Sequence, residues 1–297
     1  MAFSKFYHLG LVFFCLVIYP TLNEAFLKKG FGEKVSERNP LVFDPSLGDR
    51  ITHKAEYSSG EGKWGSQAEI IVYGLPQVQN DDITAAFISV ASGSSPDEDF
   101  NLLVAGWHVS PKLYGDTDTH FFTYWTADEN RKTGCFNLLC EGFVTYNASR
   151  YPGIRIWPLS KYNGKQYAVP VAIHQDERSG DWLLYVQGII LGHWPKTLFT
   201  SLSNGADEIN WGGNVNFDKN KKSPPMGQRP LPDEGFGKRR HSRVVQFVDQ
   251  HGQPYDPNPD EVGPIVDRDD CYAVGDFSRS ETTGFTFYFG GPGGCSG

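Results

Sequence analysis

From about residue 52 onward, short apolar or alternating runs are broken by Gly, Pro, Asn and Asp, the pattern of half-buried strands joined by turns. Strands are predicted over Ala68–Tyr73, Thr84–Val90, Asn101–Val109, His120–Thr126, Gly142–Tyr146 and Tyr167–His174. Further strands are predicted over Trp182–Val186, Ile189–Trp194, Glu208–Phe217, Val244–Val248, Tyr272–Asp276 and Phe285–Phe289. One helix is predicted over Pro195–Leu202, with Pro at its start, apolar residues at three- and four-residue spacing, and Asn204-Gly205 as its stop. Residues 218–241 and 249–270 are polar and Pro-rich and read as long loops. The fold class expected is all-β: an antiparallel β-sandwich with long loops and at most one or two short helices.

The N-terminus has a different pattern. Lys5 precedes an uncharged apolar run, Leu9–Tyr19, and Pro20–Ala25 ends on a small residue, the layout of a secretory signal. The run is too short to cross about 30 Å of hydrocarbon as a helix, and no later stretch is a candidate span. Residues 1–25 are expected to be removed, 26–51 to form a short leader or reduced pro-segment, and 52–297 to form the β-sandwich domain. Secretion, to the extracellular space or cell wall, then changes the cysteine arithmetic. Of five cysteines, Cys15 leaves with the signal, and Cys135, Cys140, Cys271 and Cys295 remain for two disulfides. Three connectivities are open, and proximity in sequence favours Cys135 with Cys140 and Cys271 with Cys295. Asn147-Ala148-Ser149 is a glycosylation sequon.

Composition narrows function by exclusion. Thirty-five acidic against 27 basic residues give a net charge of -8, which argues against a nucleic-acid binder. The common nucleophile, phosphate-loop and metal motifs are absent, so neither cofactor nor metal is expected. His108, His120, His174 and His193 read as structural histidines, and the basic run Lys238–Arg243 as a solvated loop. Most of the Trp residues should be core; if a groove is lined by aromatics, Trp107, Tyr124, Trp125 and Trp211 are the candidates.

Several motifs together carry a family resemblance. Ala105-Gly106-Trp107-His108-Val109-Ser110-Pro111, Leu113-Tyr114-Gly115-Asp116, Phe122-Thr123-Tyr124-Trp125-Thr126 and Lys132–Val144 with its two cysteines resemble the central block of the neprosin family of plant proteins. Gly192-His193-Trp194-Pro195, Trp211-Gly212-Gly213, Met226-Gly227 and Tyr288–Gly294 follow in the same order. Neprosins are secreted glutamic endopeptidases that cleave after proline at acidic pH, built as an antiparallel β-sandwich behind an activation segment. The resemblance implies that fold, a plant origin and the two local disulfides.

That chemistry needs two carboxylates facing one water, one to take a proton and one to give it. The family glutamates lie two residues before Gly-Trp and directly after Trp-Gly-Gly. Here those positions are Val104 and Asn214. Met226-Gly227 continues with Gln228-Arg229 rather than Ser-Gly, and residues 26–51 are shorter than the usual activation segment. The expectation is a catalytically inactive binder of peptide or protein, proline-containing ligands included. The alternatives are an acid peptidase using Glu98, Glu208 or Asp218, and a cell-wall carbohydrate-binding sandwich.

Overall fold

The structure, a computed structural model, describes residues 50–60, 62–93, 99–146, 149–161, 164–227, 242–281 and 284–297. The signal, the leader up to residue 49, Glu98, Asn147 and most of the basic run at 238–243 lie outside them. In chain order the strands are β1 (Arg50–Ser59), β2 (Gly65–Ile71), β3 (Ile83–Ser92), β4 (Asn101–Val109), β5 (His120–Thr126) and β6 (Cys135–Phe136). Then come β7 (Val144–Thr145), β8 (Ala168–Gln175), β9 (Trp182–Val186), β10 (Ile189–Trp194), β11 (Glu208–Asp218) and β12 (Ser242–Val248). The remainder are short: β13 (Pro254–Tyr255), β14 (Gly263–Val266), β15 (Ala273–Val274), β16 (Ser278–Ser280), β17 (Gly284–Thr286) and β18 (Phe289–Gly290). One four-residue helix, α1 (Pro111–Tyr114), begins on Pro111 and ends at Gly115 in the left-handed conformation.

Two seven-stranded antiparallel sheets hold the fold, in the orders β14-β1-β11-β3-β4-β5-β6 and β13-β12-β2-β8-β9-β10-β7. The all-β sandwich expected from the sequence is the fold observed. Alternating residues of the facing strands fill the space between the sheets: Leu103, Ala105, Trp107 and Val109 from β4, Ile209, Trp211, Val215 and Phe217 from β11, and Ile70 and Ile173 from the second sheet. Buried indoles need a partner for their single N–H. Trp107 donates to the Ile71 carbonyl at 2.8 Å and Trp211 to the Ser66 hydroxyl at 2.7 Å, so each ties the first sheet to β2 of the second. Cys135 is bonded to Cys140 and Cys271 to Cys295.

Two sequence expectations are corrected. The helix over Pro195–Leu202 is replaced by two short 3-10 turns, Lys196–Leu198 and Leu202–Asn204, with Phe199 extended between them. The reason is tertiary: the Asn101 side-chain oxygen accepts from the backbone N–H of Ser201 at 2.8 Å and of Leu202 at 3.1 Å, taking both donors from a helical ladder. The second correction is β1, where no strand is predicted. Its sequence, RITHKAEYSS, lacks an apolar run. Pairing makes it a strand, with β11 on one side and β14 on the other.

Candidate functional site

Antiparallel sheets commonly leave one face wet, yet the first sheet is apolar on both. Ala85, Phe87, Val104 and Phe122 form a second buried cluster, separate from the main core, with Leu102, Tyr124 and Phe136 packed against it. Strand alternation places this cluster on the outer face, away from the second sheet. Register gives its rows. Val104 stands between Tyr124 and Ser89, and Ser89 faces Asn210. The next outward row is Phe122, Gly106, Phe87, Gly212 and Glu56, and the one after it is His120, His108, Ala85, Asn214 and Lys54.

Val104 and Asn214 therefore share the outer face, on strands that flank β3, and the glycine row passes between their rows. A Cβ on Gly106 would lie 2.0 Å from the Ala86 carbonyl oxygen, and one on Gly212 would lie 2.4 Å from that of Ala55. Only glycine permits this close approach of neighbouring strands.

The polar groups around the glycine row are under-partnered. Glu56 is 2 % exposed and makes no hydrogen bond to the described residues. Burial pushes its carboxyl up to about 7; Lys54 opposes that shift, and Glu208 and Asp267 add to it. Asn210 donates to Glu208 Oε1 at 2.8 Å, which leaves its buried Oδ1 without a partner. His108 stacks on Phe122 with ring centroids 4.1 Å apart, and its Nε2 meets the Tyr114 hydroxyl at 2.7 Å. That hydroxyl also accepts from Asn137 Nδ2 at 2.9 Å, and the buried His108 Nδ1 is left without a partner among the described residues. Burial, aided by His120, holds His108 well below the usual imidazole range and therefore neutral.

The placement of the other sequence candidates is mixed. Trp107, Trp125 and Trp211 lie in the core between the sheets and cannot line an outer groove; this corrects the expectation for all three, and its cause is the parity of their strand positions. Tyr124 lies on the outer face, half-buried, with its hydroxyl on Asn130. Among the alternative carboxylates, Glu208 is on the outer face, whereas Asp218 closes a turn by accepting from the Asn220 backbone at 2.9 Å. Glu56 was not a candidate, because a glutamate among alternating polar residues reads as a solvent-facing position.

A cavity lies elsewhere. About 680 Å³ opens on the outer face of the second sheet, where Gln67, Glu69, His174 and Tyr185 are among its lining residues, and loop residue His251 pairs with Glu177 at 3.1 Å. His174 and Tyr185 stack there, with centroids 5.0 Å apart.

A family model described as Neprosin matches residues 80–292, which span both strands that carry Val104 and Asn214. The chain belongs to the neprosin family. Among solved structures, the chain is similar to Scytalido-glutamic peptidase with a peptide-based transition state analog, at 11 % identity and TM-score 0.32 over 80 % of this chain and 98 % of that one. It is also similar to the CBM40 of Ruminococcus gnavus IT-sialidase bound to α2,6 sialyllactose, at 12 % identity and TM-score 0.28 over 58 % of this chain and 89 % of that one. In this neprosin-family chain Val104 and Asn214 lie on the same apolar outer face, and neither carries a titratable group.

Proposed function

We propose that this neprosin-family chain is a secreted plant protein that binds an extended peptide, proline-containing peptides included, along the outer face of its first sheet, without glutamic-peptidase catalysis. The observation that carries the reading is the contrast within that face. The unpartnered His108 Nδ1 on one side, and the unpartnered Asn210 Oδ1 with the Glu56 carboxyl on the other, flank an apolar floor suited to a peptide backbone. Yet Val104 has no proton to give or take and Asn214 offers only an amide. An apolar floor with a few convergent polar groups is the general make-up of a ligand site.

Two disulfides support passage through an oxidising compartment, in keeping with removal of residues 1–25 and glycan attachment at Asn147. The test is incubation of the purified protein with proline-containing peptides from about pH 2.5 to 6, followed by mass spectrometry. Retention of peptide without cleavage is expected. Cleavage after proline that is lost in Glu208→Gln would overturn the inactive reading and establish an acid peptidase with relocated carboxylates.

A second reading belongs to the cavity on the second sheet. The stacked His174–Tyr185 rings beside Gln67 and Glu69 suit a sugar ring and its hydroxyls. Retention on cell-wall polysaccharide, lost in Tyr185→Ala, is its test.

A further inference from the structure

We propose that the outer groove of the first sheet selects peptides bearing a lysine or arginine, whose cationic side chain enters beside Gly212 and is held by Glu56, Glu208 and the side-chain oxygen of Asn210. This rests on the peptide-groove reading and names the class of peptide.

Three observations converge. Glu56 is a carboxylic acid 2 % exposed and without a hydrogen bond to the described residues, opposite Gly212 on β11. The missing side chain at Gly212 makes room for it: a Cβ there would lie 3.0 Å from Glu56 Cγ. Two residues along β11, the Asn210 amide is oriented by its donation to Glu208, which turns an unpaired, buried oxygen into the same face. All three groups accept hydrogen bonds once Glu56 is ionised. The unpaired, buried Asn210 oxygen is costly, and the complement to it and the two neighbouring carboxylates together is a group rich in donors. An ammonium brings three N–H bonds and a guanidinium five, against one from a peptide amide.

Charge points the same way. The groups that bear on Glu56 are Lys54 on its own strand, Glu208 on β11 and Asp267 beyond β14. On β3 the outward residues Ala85, Phe87 and Ser89 carry no charge, and on β4 His108 is held neutral. Two carboxylates against one exposed lysine leave an excess of negative charge for an entering cation to offset. Phe87, on the far side of Gly212, offers a ring for the aliphatic stem. Because burial and the neighbouring carboxylates raise the Glu56 carboxyl to about 7, the site holds a proton under acidic conditions and is free to take a cation above neutrality.

The experiment measures binding of two capped hexapeptides, Ala-Ala-Pro-Lys-Ala-Ala and the same peptide with norleucine in place of lysine, to the purified protein at pH 8 and pH 5.5. At pH 8 the lysine peptide is expected to bind at least about tenfold more tightly, a difference of about 1.4 kcal/mol. That ratio should shrink to within about twofold at pH 5.5, and likewise in Glu56→Gln at pH 8. Glu208→Gln, on a less buried residue, should lower the ratio severalfold and serves as the second variant should the first fold poorly. Equal binding of the two peptides by the wild-type protein at pH 8, or a preference that persists in both variants, overturns the cation site while leaving the peptide groove standing. Binding of neither peptide overturns both.

Discussion

Glu56 and Gly212 face each other across β1 and β11, and a Cβ at 212 would meet the Ala55 carbonyl oxygen at 2.4 Å, Glu56 Cα at 2.6 Å and Glu56 Cγ at 3.0 Å. The pair sets the character of the outer face. A buried carboxyl is placed between the rows of Val104 and Asn214, where an apolar floor would otherwise be continuous.

The first prediction concerns the pH dependence of stability. Below about pH 4.5 the Glu56 carboxyl is protonated whether the chain is folded or not. Between there and about pH 7 the unfolded chain loses the proton while the folded one keeps it, so the native state loses stability as pH rises. Glu56→Gln removes that dependence. The variant is expected to gain up to about 3 kcal/mol relative to wild type between pH 4 and pH 8. Urea denaturation at the two pH values reads this directly, and an unchanged difference would mean that Glu56 is solvated.

The second concerns the glycine row. Gly106→Ala forces a methyl to within 2.0 Å of the Ala86 carbonyl oxygen, and backbone must move to accept it. A loss of about 2–4 kcal/mol is expected, with a fall in thermal midpoint as the measurement. Gly115→Ala is the control for backbone conformation alone, since a Cβ there meets nothing within 4 Å although its φ is 77°. It should cost about 1 kcal/mol.

The third places acids at Val104 and Asn214. Val104→Glu combined with Asn214→Glu is expected to produce acid-dependent cleavage after proline, and neither single variant should do so, because one carboxyl cannot be ionised to activate water and protonated to polarise the carbonyl in the same step. Val104 is 7 % exposed and packs in the apolar cluster. Val104→Glu alone should therefore be destabilised at neutral pH by about 2 kcal/mol or more, and less so near pH 4 where the new acid is neutral.

The fourth compares the disulfides. Cys271–Cys295 closes a separation of 24 residues and Cys135–Cys140 one of 5. On chain entropy alone, replacing each pair by serines should cost about 3.5 and 2 kcal/mol respectively. Thermal unfolding of the two double variants should rank them in that order.

Much of the fold was legible because its signals are local. The bounds of Asn101–Val109, His120–Thr126, Trp182–Val186 and Ile189–Trp194 coincide with those expected, since each is an apolar run closed by turn residues. The order of motifs determined the family, and the resemblance is what directs attention to Val104 and Asn214. What the sequence could not decide is which side of a strand meets the core. In β3 and β4 both faces are apolar, so alternation is silent, and only the second sheet assigns Trp107 to the interior and Val104 to the outer face. For the same reason Glu56 was invisible. Its strand has no apolar run and exists because β11 and β14 pair with it, and its side chain lies opposite a glycine 156 positions away in the chain, a proximity that only tertiary structure creates.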